Sequence, residues 1–189
     1  MRRGLLFVFL PVLLRAGSPG DLFGHHPYEE APASSLASAG RYRKSGRVVQ
    51  LRREAAEAFR AMAAAAASDG ARLIPISGFR SAAYQVGLWK KAVARRGSEL
   101  AAAKWVAPPG HSEHHAGWSL DMGDEKVPAT DVDPAFEKTK AFAWLQANAS
   151  RFHFELSFPK NNPQGVSYEP WHWRFIGTPE ARRTFHPEN

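Results

Sequence analysis

The chain has 189 residues, enough for one domain with a sizeable core. It contains no cysteine, which excludes disulfides, thiolate metal sites and a lipid-modified cysteine anchor, so any bound metal must be held by histidine and carboxylate. The formal net charge is +7; Arg2, Arg3 and Arg15 lie in a segment expected to be removed, leaving 22 basic against 18 acidic residues, a balance that suits a solvated surface better than a nucleic-acid interface.

Arg2 and Arg3 precede an apolar run from Gly4 to Leu14, and small residues Ala16 and Ser18 follow. This is the anatomy of a signal peptide over 1–18, and the run is short for a bilayer crossing. From 19 to 45 the chain is rich in Pro, Gly, Ser and Ala without apolar periodicity, which predicts a flexible tether; His25 and His26 are expected to be solvated there. A folded domain is predicted over 46–180 and a short tail over 181–189.

Within the domain, Val48, Leu51, Ala55, Phe59, Met62 and Ala66 recur at three- and four-residue steps, so a helix is predicted from Arg47 to Ser68, closed by Asp69-Gly70. Leu73 to Ser77 reads as a strand, with Pro75 marking an edge or an irregularity. Ser81 caps a second helix through Tyr84, Leu88 and Ala92 to about Arg96, with Gly97 closing it. Arg80 therefore sits where a strand turns into a helix, a place that holds a guanidinium still at the rim of a cleft.

A weaker helix from Glu99 to Val106 leads into the turn Pro108-Pro109-Gly110. If Gly117 to Met122 is a strand, alternation puts Trp118, Leu120 and Met122 on the core face and Asp121 on the other. Gly117 allows close approach of another chain segment. Asp133-Pro134 starts a helix that runs to about Ala149. Phe154, Leu156 and Phe158 alternate with polar residues in a further strand, and the last strand runs from Trp171 to Ile176.

Two stretches carry chemistry. The first, HSEHHAGWSLD from His111 to Asp121, and the second, YEPWHW from Tyr168 to Trp173, together offer imidazoles and a carboxylate for a Zn²⁺ with a fourth position open to water. Glu169 is a spare acid beside them, suited to a general base. In an unbroken strand Glu169 and His172 would face opposite sides, so Pro170 is expected to bend the chain and turn Glu169 toward the metal.

The pattern S-x-H-x-x-G-x-[small]-x-D followed by E-P-W-H-W resembles the zinc D-alanyl-D-alanine carboxypeptidases of the VanY type. Gly78-Phe79-Arg80-Ser81 with Gln85, and Pro109-Gly110 before Ser112, extend the resemblance from about Val48 to about Gly177. It implies His114, Asp121 and His172 as the zinc ligands, because only His114 has the Ser-x-His and His-x6-Asp relations; His111 and His115 remain loop residues. It also implies Glu169 as the base that activates the zinc water, Arg80 as the group that polarises the scissile carbonyl, and Ser112 and Gln85 as substrate-holding residues. The implied fold is a single α+β domain, a mostly antiparallel central sheet with packed helices, similar to the hedgehog and D-Ala-D-Ala peptidase group.

The expected substrate is a peptidoglycan stem peptide and the expected location the periplasm or cell envelope. An L,D-carboxypeptidase acting on tetrapeptide stems and a non-catalytic cell-wall binding protein with a structural zinc are the alternatives. Phe79 and Ser119 stand where the family uses Tyr and Ala. His153 stands where Gly often follows a helix, so a left-handed turn there would be strained.

Overall fold

The computed structural model describes residues 20–187. The predicted signal peptide lies outside them. Among the described residues no helix is long and apolar enough to cross a membrane.

The described residues form two antiparallel sheets and five α-helices. Strands β1 (Leu36–Arg41) and β2 (Val48–Arg52) form a two-stranded sheet. Helix α1 (Arg53–Ser68) follows β2 directly and buries Ala55, Ala56, Phe59, Met62 and Ala66, the predicted stripe less its first turn. The expected helix from Arg47 is thus corrected. Val49 and Leu51 are fully buried while Val48 and Gln50 are exposed, a period of two, and Val48 to Leu51 also happens to fit a helical step of three.

From residue 20 onward the stretch read as a tether is folded. β1 pairs with β2, Ala31 and Ala39 are buried, and His25 is only 4% exposed with its Nε2 2.7 Å from the Ala103 carbonyl oxygen. Backbone bonds also join Tyr28 N–H to Gly110 O and Ala31 N–H to His115 O. Strands made of small residues carry no apolar alternation, and this one is held by its partner rather than by its own side chains.

The second sheet has the order β3-β4-β6-β5, from β3 (Leu73–Ser77), β4 (Ser119–Asp124), β5 (Phe154–Leu156) and β6 (His172–Phe175), all pairs antiparallel. β3 is an edge of that sheet and its register shifts between Pro75 and Ser77, as the missing Pro75 donor dictates. Helix α2 (Ala82–Arg96) starts at Ser81, whose Oγ accepts from Tyr84 N–H at 3.1 Å, and stops at Gly97 with φ 82°. It buries Gln85 and Ala92; Tyr84 points to solvent.

Helix α3 (Glu99–Ala103) is shorter than predicted. The helix expected from Asp133 is divided: a 3-10 turn, Pro134–Lys138, precedes α4 (Lys140–Asn148), because Thr139 adopts extended angles and its side chain caps the second piece. His153 takes φ 61° and ψ 27°, the left-handed conformation a glycine would enter freely. The expected tail instead begins inside helix α5 (Pro179–Phe185), which buries Ala181 and Phe185. Thr178 as cap with Pro179 in the first turn is the sequence signal for it.

The core lies between α1, α4 and the larger sheet. Trp118, Leu120 and Met122 of the β4 segment are buried in it, together with Phe136, Leu145, Phe154, Trp171 and Trp173. Gly117 has φ 74°, and a Cβ there would lie 3.0 Å from that of Ala31 and 3.1 Å from Arg52 Cγ. The close approach predicted for it is therefore made by the segment preceding β1 and by β2.

Candidate metal centre and active site

Each of the three predicted ligands comes from a different local structure. His114 stands in the 3-10 turn Glu113–Ala116, Asp121 in the middle of β4, and His172 at the start of β6. β4 and β6 pair with Asp121 opposite His172, so strand register alone sets those two side by side. His114 is brought in by its Nδ1–H, which donates to Gly78 O at 2.7 Å.

One nitrogen or oxygen from each of these residues lies within 4.8 Å of the others, and all three side chains are buried. His172 Nδ1 is 3.1 Å and His114 Nε2 3.3 Å from Asp121 Oδ1. Neither contact has hydrogen-bonding geometry, so His114 Nε2 and Asp121 Oδ1 have no hydrogen-bond partner among the described residues. Buried polar atoms left so are costly. Two imidazole nitrogens and a carboxylate oxygen converging this way fit Zn²⁺ with one position to spare.

Glu169 is the fourth group. The turn at Pro170, closed by His172 N–H to Glu169 O at 3.0 Å, brings its Oε2 to 3.7 Å from His172 Nδ1. This is the bend the sequence required. Arg80 lies between β3 and α2, its Nη2 3.3 Å from Asp121 Oδ2 and its Nη1 donating to Gln85 Oε1 at 3.4 Å. Gln85 Nε2 donates to Ala107 O at 2.8 Å, so this side chain ties Arg80 to the neighbouring loop. Ser112 is buried and lines the same cavity, of about 40 Å³, with Arg80, Gln85, His114, Glu169 and His172. Trp105, Phe158, Val166 and His25 are also part of its wall.

Electrostatics separate the four groups. Burial lowers the pKa of His114 to about 4, helped by Arg80, so it is neutral at pH 7. Burial works against charging His172 too, yet the carboxylates of Asp121 and Glu113 on either side of the ring raise its pKa to about 10. Asp121 is held well below the usual carboxylate range, its burial outweighed by His114, His172 and Arg80. Glu169 is pushed up to about 8, mainly by burial, with Asp121 and Glu113 adding to the effect.

Two buried residues in the first motif carry more than the sequence suggested. Glu113 Oε2 is 3.0 Å from His172 Nε2, and Glu113 Oε1 accepts from Arg174 at 2.8 Å. His115, expected to be a loop residue, is fully buried; its Nδ1 lies 2.6 Å from Arg80 O and its Nε2 accepts from Gly110 N–H at 3.2 Å. It thereby holds the backbone that carries Arg80. A buried histidine ligand usually gives its second nitrogen to an acceptor, and that need was the available signal for Glu113. His111 stays in a loop, with Nε2 3.0 Å from Gly20 O.

The family model described as VanY: D-alanyl-D-alanine carboxypeptidase matches residues 48–178. The chain belongs to the VanY family. "Putative carboxypeptidase YodJ" of Bacillus subtilis (strain 168) is 35% identical over 134 residues, 70% of this chain and 48% of YodJ. A D-alanyl-D-alanine carboxypeptidase of Enterococcus faecalis is 33% identical over 132 residues, 65% of this chain and 47% of its own length. The chain thus spans about half the length of these curated relatives.

Among solved structures, the LdcB LD-carboxypeptidase superposes with a TM-score of 0.70 at 32% identity, over 82% of this chain and 72% of LdcB. The vancomycin-resistance D,D-pentapeptidase VanY, solved as a Glu-to-Ala mutant in complex with Zn(II), gives 0.61 at 28% identity, over 83% and 88%. Residues 20–47, with β1, precede the family match yet pack against it.

Proposed function

We propose that this VanY-family chain is a zinc-dependent carboxypeptidase that releases the C-terminal D-alanine of D-alanyl-D-alanine-ending peptidoglycan stem peptides. The observation that carries the reading is the buried convergence of His114, Asp121 and His172 with Glu169 beside them. A purely structural zinc has no use for such an acid, which argues against a non-catalytic wall-binding role. Zinc bound by the three residues would supply a Lewis acid that acidifies water and polarises a carbonyl.

The chain's own residues do the rest. Glu169, whose pKa of about 8 without metal would be drawn down by a neighbouring dication, is suited to take a proton from the attacking water near neutral pH and to give it back to the departing amine. The C–O bond forms, the amide C–N bond breaks, and the proton moves from oxygen to Glu169 to nitrogen. Arg80, fixed by Asp121 and Gln85, places a guanidinium where the oxyanion develops. Ser112 and Gln85 line the pocket in position to hold the substrate's end.

A second reading, an L,D-carboxypeptidase on tetrapeptide stems, is favoured by the likeness to LdcB. Purified protein incubated with pentapeptide and tetrapeptide stems, followed by mass for loss of one alanine, separates the two. Activity on neither ends both. We further propose export to the periplasm or cell envelope, from the apolar run between Gly4 and Leu14 and the location of the substrate.

A further inference from the structure

Glu113 stands between Ser112 and His114 in the sequence, yet its carboxylate reaches the far edge of His172. The two ring nitrogens of His172 are divided: Nδ1 lies 3.1 Å from Asp121 Oδ1, and Nε2 lies 3.0 Å from Glu113 Oε2. That same Oε2 accepts from Ser157 Oγ at 2.7 Å and from Ser119 Oγ at 3.2 Å. Oε1 accepts from Arg174 Nη1 at 2.8 Å. Four donors from three segments hold a side chain that is 4% exposed, so the carboxylate has one orientation.

We propose that Glu113 is a positioning residue of the metal centre: it accepts the Nε2 proton of His172, fixes the tautomer that presents Nδ1 to the ion, and strengthens that nitrogen as a ligand. Simple neutralisation of Arg174 does not account for the arrangement, because Arg174 Nε already donates to Glu155 at 2.7 Å. Nor does it explain why two serine hydroxyls converge on the oxygen that faces the imidazole. The two histidine ligands are treated differently. His114 gives its second proton to a neutral carbonyl, Gly78 O, and His172 gives its own to an anion. An acceptor of that charge makes an imidazole a better donor, and loss of such partners costs about 10- to 100-fold in metal affinity.

The inference rests on the zinc reading above, and the experiment separates the two. Zinc affinity of the full chain is measured by competition with a chromophoric chelator, for wild type, Glu113→Gln and Ser157→Ala, with thermal unfolding of each metal-free protein recorded alongside. Glu113→Gln is expected to weaken zinc by about 10- to 100-fold. In proton NMR of the zinc-loaded protein, the His172 Nε2–H resonance should move upfield in Glu113→Gln. It should move downfield in Ser157→Ala, where Oε2 loses a competing donor.

Zinc affinity of Glu113→Gln within about twofold of wild type, well below the expected loss, would overturn the proposal while leaving the zinc reading intact. Wild type that takes up no zinc would end both. If Glu113→Gln does not fold, Ser157→Ala decides: an unmoved resonance overturns the proposal and a downfield shift supports it.

Discussion

Zinc uptake should expel protons, and its affinity should rise with pH. His172 lies between Asp121 and Glu113, and although burial disfavours its charge, these two acceptors hold its pKa at about 10. In the metal-free chain both ring nitrogens are therefore protonated at pH 7. A ligand nitrogen must be bare, so each ion displaces about one proton from Nδ1. His114, at about 4, is already neutral and contributes none. Glu169, at about 8, is mostly protonated at pH 7, and a dication nearby favours its ionised form, adding part of a second proton. Between roughly one and two protons should leave per ion, and the dissociation constant should fall about 10- to 100-fold per pH unit from pH 6 to 7. Calorimetric titration in two buffers of different ionisation enthalpy counts the protons, and chelator competition gives the slope. Release of less than about half a proton would mean that His172 is neutral without metal and that its flanking carboxylates do not govern it.

Three substitutions test other links. Glu169→Gln should lower kcat on the stem peptide by about 100- to 10,000-fold with zinc content unchanged; a kcat within tenfold of wild type would remove Glu169 from the base role. Gly78→Ala should cost about 1–3 kcal/mol in denaturant unfolding, because the new Cβ would fall 2.2 Å from Gln50 O and 3.1 Å from Leu51 and Val49. Since Gly78 O also accepts from His114, zinc affinity should drop with it, and an unchanged midpoint would show that β2 yields freely. His153→Gly should stabilise by about 1 kcal/mol by relieving the left-handed backbone at an exposed position; a lower Tm by calorimetry would show that the edge contact with Phe175 matters more.

The clustering of the three candidate ligands could be read before any coordinates because they fall in two short motifs and because strand parity fixes where Asp121 points. Pro170 likewise announced a bend that alternation alone forbade. Glu113 was not legible in the same way. Its partners His172, Arg174 and Ser157 lie 44 to 61 positions away, and nothing beside it in sequence distinguishes it from a surface acid. β1 escaped for a different reason: Leu36-Ala-Ser-Ala-Gly-Arg41 has almost no apolar side chain to alternate, and Gly40 is demanded by its own φ of 132° and by Pro75 Cγ, 3.1 Å from where its Cβ would be. β2 was absorbed into α1 since no side-chain cap marks the boundary at Arg52. Helices with explicit caps, such as α2 at Ser81, were placed closely.

The strip of chain ahead of β1 fastens to the pocket's borders at several joints. His25 meets Ala103 O, Gly24 O accepts from Gln164, Tyr28 N–H reaches Gly110 O, Glu30 receives the amide of Ala82, and Phe23 stacks on Trp89. Anyone trimming this protein to the family-matched portion for expression would cut every one of those joints at once. Shortened forms should therefore retain Gly20 onward, or the loops that frame the pocket lose the brace that ties them to one another.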